Sequence, residues 1–179
     1  MEGLVVNHIL AQKQPMGRRK INYTEGTAFW VPCREGGYAR GVVCRLDGKG
    51  GVLGCFFGPL MDEVVDLPSS LHLNVEKAVF WGLFGDLGLI NGEWLIIGQI
   101  VDWCRDVWPM PLFLNKSDCG LYQSIYSDRL ELISIEKVKD ANRLPKLVCD
   151  DGAMGYGYVE IALSEILSGA SAQREGGIT

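Results

Sequence analysis

The sequence predicts a mainly β fold, a small and strongly bent antiparallel sheet or barrel carrying one C-terminal helix. Two observations carry that reading. Glycine is abundant and proline scarce, 23 against 7, and the glycines fall between short runs of Val, Ile and aromatic residues, the pattern of strands joined by tight turns. Only one late segment, Val159 to Leu167, places Ile161, Ile166 and Leu167 at helical spacing.

Residues 1–24 show no sustained period and read as a flexible leader, with Met16 as an alternative start. Thr27 to Cys33 is the first strand, Arg34 to Gly37 a turn, and Tyr38 to Leu46 the second strand, with Tyr38, Val42, Cys44 and Leu46 on one face. "DGKGG" turns the chain into a third strand, Val52 to Phe57. In the resulting meander Leu46 is expected opposite Leu53, Cys44 opposite Cys55 and Val42 opposite Phe57, all lining one buried face. Gly58 to Asn74 is a turn-rich connection and Val75 to Phe84 a further strand. Asn91-Gly92 is a tight-turn signal ahead of a strand from Trp94 to Ile100. Pro109 and Pro111 make Asp102 to Phe113 irregular, because neither can donate to a ladder. Leu121 to Ser127 and Leu130 to Val138 form a late hairpin. The chain thus reads as one domain over 25–168, with 169–179 as a disordered tail.

Charge and composition narrow the function classes. The formal net charge is -5. It is divided between +4 over residues 1–50 (8 basic, 4 acidic) and -9 over the rest (9 basic, 18 acidic), which argues against nucleic-acid binding. No apolar run of membrane-spanning length occurs. The six cysteines, Cys33, Cys44, Cys55, Cys104, Cys119 and Cys149, form no CxxC pair, and reduced thiols in a cytoplasm fit them best. Cys44 and Cys55 read as small core residues rather than a disulfide.

Most reactive chemistries lack their parts. The glycine turns sit between strands, with no helix opening after them, so neither a Walker loop nor a dinucleotide fingerprint is present. His8 and His72 are the only histidines. A histidine-rich metal centre therefore cannot be built, no metal site is assigned, and any cofactor is unknown. Asp62, Glu63 and Asp66, and Asp150-Asp151, read as solvated acidic loops. Five tryptophans are many for this length. Those flanked by charge, in "GEWLIIG" and "VDWCRDVWPMP", suggest an apolar pocket with a few polar groups.

"GTAFWVPCREGGYARGVVC", "GEWLIIGQ" and "WPMPLF" together resemble the Immunity protein 26 family, in which small phosphotriesterases of the HocA type are also placed. The matching positions are Gly26, Phe29, Pro32, Tyr38, Gly41, Val43, Trp94, Gly98, Pro109, Pro111 and Phe113, over roughly Gly26 to Val138. The resemblance implies two functions. One is a small hydrolase acting on neutral organophosphate triesters. The other is an immunity protein that binds and neutralises a cognate toxin of a bacterial polymorphic toxin system. The hydrolase is the first expectation. It needs an apolar pocket, for which Trp94, Trp103, Trp108 and Phe113 are the candidates. It also needs a base and an oxyanion donor, for which Asp102 or Asp86 and Arg105 are taken by position and residue type.

Overall fold

The computed structural model describes residues 22–64, 73–145 and 147–175. The histidines, Asp66 and most of the leader lie outside the described residues. Two sheets and one long helix make up the molecule. The first sheet begins as an antiparallel meander of β1 (Thr27–Pro32), β2 (Tyr38–Leu46), β3 (Gly51–Met61) and β4 (Phe80–Gly85). A four-residue helix α1 (Leu87–Ile90) leads to β5 (Ile96–Gln99), which returns to pair with β1. The second sheet holds β6 (Leu112–Ser117), β7 (Gly120–Tyr126), β8 (Leu132–Lys137) and β9 (Val148–Asp150). β10 (Ala153–Met154) then joins the first sheet beside β4, and α2 (Tyr156–Glu175) ends the described chain. The strand orders are β10-β4-β3-β2-β1-β5 and β8-β7-β6-β9. Both sheets are open, so the bent-sheet form of the expected fold is the one adopted and the barrel is not.

Each face of the first sheet has its own core. One face carries Phe29, Val31, Val43, Val52, Phe56 and Phe84, covered by Leu89 of α1, Trp94, and Val159, Leu163 and Leu167 of α2. The helix residues repeat every four positions, so they form one stripe toward the sheet. Gly41 is required here because a side chain at that position would occupy the space of the Phe29 ring. Ser164, midway along α2, ties the helix to the turn between β1 and β2: its hydroxyl accepts the Arg34 N–H at 2.8 Å and donates to the Glu160 carbonyl at 2.8 Å. The opposite face carries Val42, Leu53, Cys55, Phe57 and Trp81, and packs against Trp108, Phe113 and Cys149.

The meander follows the reading from sequence, but its register does not. Leu46 lies opposite Val52, Arg45 opposite Leu53 and Val42 opposite Cys55, with the ladder shifting between Val43 and Arg45. This is a β-bulge, one extra residue in the second strand. Before it, Val42 and Cys44 share the face of Leu53 and Cys55, as expected. After it, Leu46 has moved to the helix-covered face. Cys44 and Cys55 are both buried free thiols. Burial, with Cys44 as its neighbour, pushes the Cys55 thiol far up.

Other elements also differ from the sequence reading. Val75–Lys77 is a single 3-10 turn capped by Asn74, and only Phe80 to Gly85 is strand. Asn91-Gly92 ends α1 rather than turning a hairpin: the Asn91 and Gly92 amides bond the Leu87 and Leu89 carbonyls, with Gly92 at φ 74. That is the C-terminal use of the same left-handed preference. Trp94 precedes the strand, not part of it. α2 continues to Glu175, beyond the Leu167 limit of the helical spacing.

In the second sheet, Asp151 follows β9 and reaches past β6, whose Leu114 carbonyl accepts its N–H at 2.8 Å, to β7. Its carboxylate accepts the Ser124 hydroxyl and the Tyr126 hydroxyl, the latter at 2.6 Å. Burial first, and then this bond, raise the Tyr126 pKa from 10.0 to about 12. The folded state therefore holds the phenolic proton more tightly than the unfolded chain. The resulting stabilisation is complete below pH 10 and is lost as the pH rises through about 12. Titration by tyrosinate absorbance should show Tyr126 ionising late together with Tyr23 and Tyr156, whose phenols are also raised, and Asp151→Asn should remove one tyrosine from that late transition, bringing it back toward 10. An unchanged late transition in that variant would refute the assignment.

Candidate functional site

The loop between β5 and β6 is the part of the structure that is both rigidly held and outwardly apolar. Its path starts at Asp102, a non-glycine residue at φ 56. Turn bonds then run from the Val107 amide to the Cys104 carbonyl at 3.2 Å and from the Trp108 amide to the Arg105 carbonyl at 3.1 Å. Inside the loop, Trp103 and Trp108 pack with ring centres 5.1 Å apart, and Trp108 meets the edge of Phe57 at 6.0 Å. Trp103 lies over Gly26, where φ is +83 and a Cβ would stand 2.8 Å from Trp103 Cγ. The Ile100 amide bonds the Gly26 carbonyl at 2.9 Å. Glycine is needed there for both the backbone angle and the close approach.

Arg45 holds the loop from below. The bulge in β2 places Cys44 and Arg45 on the same side of the strand. The Arg45 guanidinium, in a residue only 2% exposed, donates to the Cys44 carbonyl at 2.7 Å, the Trp108 carbonyl at 3.0 Å and Asp128 at 3.3 Å. Arg105 donates twice to the Glu25 carboxylate, at 2.7 Å each, and lies 3.5 Å from Asp128. The paired fork is the strong form of this interaction, and the bond to Glu25 is the main cause of the raised Arg105 pKa. Both arginines are thus engaged with acidic partners, while Asp102 and Asp106 are exposed. Val101 and Val107 project beside them, 80% and 61% exposed.

The residues proposed from sequence do not converge on one pocket. Trp94 lies on the helix-covered face, fully buried and stacked on Phe29 at 5.4 Å, with its indole N–H donating to Glu160 at 3.0 Å. Asp86 is near that side, capping α1 and accepting the Tyr23 hydroxyl at 2.6 Å. It borders a shallow cleft of about 270 Å³ with Asn22, Leu46, Gly50 and Ile90. Trp103, Trp108 and Phe113 belong to the other core, where Phe113 packs edge-on against Tyr126 at 4.8 Å. The sheet separates the two groups. Asp102 and Arg105 share the loop with Trp103 and Trp108, and Arg105 is already held by Glu25. The residues missed were Glu25, Arg45, Asp128, Val101 and Val107. Of these only Arg45 left a trace in the sequence, as a charge inside the apolar run "GVVCRL". Among the described residues no cluster of three or more His, Cys, Asp and Glu side chains could hold a metal ion, and no helix is long and apolar enough to cross a membrane.

A protein-family model described as Immunity protein 26 matches residues 24–125, more than half of the chain. The chain belongs to the Immunity protein 26 family. The Immunity protein 26 match takes in β1 to β6, most of β7 and the whole Trp103–Trp108 loop, and leaves out β8, β9, β10 and α2. It also corrects the first functional expectation. The family is named for immunity, and the hydrolase, phosphotriesterase and organophosphate reading has no support in it. No curated protein and no solved structure matches the chain.

Proposed function

We propose that this protein is an antidote: it binds a cognate toxin protein and neutralises it, and the loop between β5 and β6 makes the central contact. Family membership supports the role, and the exposure of Val101 and Val107 on an otherwise braced loop carries the choice of surface. Exposed apolar side chains on a rigid support lose little entropy on docking. The flanking Asp102 and Asp106 favour a basic partner surface and speed encounter with it. All six cysteines are free, which fits a reducing compartment, and the cytoplasm is the proposed place of action.

The test is co-elution on gel filtration with the toxin encoded beside its gene. Val101→Asp and Val107→Asp should each weaken the complex by about 1–3 kcal/mol, roughly tenfold or more in Kd, as expected for centrally placed apolar contacts. Folding should be unaffected, because both side chains are exposed. Full binding by the double variant would remove this loop from the interface. Failure of the unaltered protein to bind any neighbouring toxin would remove the antidote role itself.

A further inference from the structure

The turn between β7 and β8, Ser127 to Leu130, stands beside the loop that carries Val101 and Val107 and is as firmly held. Its serine organises it. The Ser127 hydroxyl accepts the Arg129 and Glu131 amides at 3.2 Å each, and the Ser127 carbonyl accepts the Leu130 amide at 2.9 Å. Leu130 is held at φ 58 and packs against the same core as Trp103. Among the described residues only Asp102 and Leu130 are non-glycine residues at positive φ. One opens the loop and the other closes the turn, and backbone strain of this kind gathers where a surface is held ready for a ligand. Asp128 joins the two segments. Its carboxylate accepts the Arg45 Nε–H at 3.3 Å through one oxygen and lies 3.5 Å from Arg105 Nη1 through the other. Both contacts are longer than a strong charge-assisted bond, and the side chain is 58% exposed. Lone pairs on each oxygen therefore remain open to a further donor.

On the antidote reading, we infer that this turn is the second half of the toxin contact, and that Asp128 accepts a lysine or arginine side chain of the toxin. An ion pair with so exposed a member contributes little to folding, so stability does not account for the carboxylate. Charge does. Glu25 and Asp128 offset Arg105 and Arg45, which leaves the exposed Asp102 and Asp106 to give this face its acidic sign. Without Asp128 the balance moves by one positive charge, and a basic partner would meet a guanidinium that nothing offsets. The two arginines also fix the direction of the carboxylate, so little side-chain freedom is lost when a partner docks on it. Arg129, exposed at the tip of the turn, has the opposite sign and acts against the same partner. Neighbouring residues of the turn thus make opposite contributions, which fixes how a toxin must orient its cations to bind. The family match ends at residue 125, so the turn lies outside the matched stretch and adds to the loop a second point of selection between toxins.

Association and dissociation rates of the full chain with the toxin encoded beside its gene, measured at low and high salt, test it. Asp128→Asn keeps an oxygen for Arg45 and removes the charge. It should raise Kd about tenfold, mainly through slower association, and should flatten the salt dependence of the association rate. Arg129→Gln should do the reverse and speed association about twofold. Urea midpoints of both variants should match the parent, because both side chains are exposed. Parent-like binding by Asp128→Asn overturns the proposal. So does a loss confined to the dissociation rate, which would make Asp128 a positioning residue for the loop, or a similar loss from both substitutions. If Val101→Asp weakens the complex and Asp128→Asn does not, the antidote role stands and the turn is excluded from the contact. If the unaltered protein binds no neighbouring toxin, both fall.

Discussion

Trp94→Ala should cost about 3–5 kcal/mol of folding stability, the range for deleting a large buried aromatic side chain. The ring is fully buried, stacks on Phe29 at 5.4 Å, and lies 5.1 Å from Phe84 and 6.4 Å from the edge of Phe56. On its far side Tyr156 approaches at 6.3 Å, and its indole N–H reaches Glu160 of α2 at 3.0 Å. The residue therefore belongs to the sheet core and the helix contact at once, and its loss leaves a cavity between them. Trp94→Phe retains most of the packing and forfeits the bond, for about 1–2 kcal/mol. Urea unfolding of the three proteins checks this. If alanine and phenylalanine gave the same midpoint as tryptophan, the ring would not be the keystone described. Against a total stability of about 5–15 kcal/mol for a domain, the alanine variant is expected to be partly unfolded near body temperature.

Arg45→Ala should cost about 3 kcal/mol, and the reason is not its ion pair. Asp128 is 58% exposed at its side chain, and a pair with one such partner contributes little. The loss comes from the Cys44 and Trp108 carbonyls, which the guanidinium satisfies inside the protein. An unsatisfied buried acceptor costs about 1–3 kcal/mol. Asp128→Asn should thus be nearly neutral while Arg45→Ala is severe, and Arg45→Met should be no better than alanine because it fills the volume without donating. Comparable losses for Asp128→Asn and Arg45→Ala would reverse this account. Because Arg45 also holds the Trp108 end of the loop, its variants should weaken the proposed toxin contact even at temperatures where they are folded.

The opening meander was legible because local signals agree there: alternation, a glycine at each turn, and strands adjacent in sequence. The late hairpin and the apolar spacing of α2 were legible for the same reason. The bulge at Cys44–Arg45 was not, since alternation runs through "VVCRL" unbroken on paper and only the buried arginine marks the extra residue. β9 and β10 escaped notice because their ladders are made with partners far along the chain, and β6, which pairs with the adjacent β7, was missed because prolines mask its approach. For the site, residue type was the weak guide. Tryptophan serves core and surface equally, and nothing local tells that Trp94 and Trp108 face opposite sides of one sheet. Val101 and Val107 became informative only once their exposure was known.

The short run from Val148 to Met154 enters both sheets in turn, first beside β6 and then beside β4. It is followed at once by the helix whose Val159, Leu163 and Leu167 close the other core. Such pairings between segments distant in sequence fold slowly relative to local ones. The segment from Val148 to Leu167 closes both cores together, and a chain cut ahead of Val148 should lose the packing on each face of the first sheet at once.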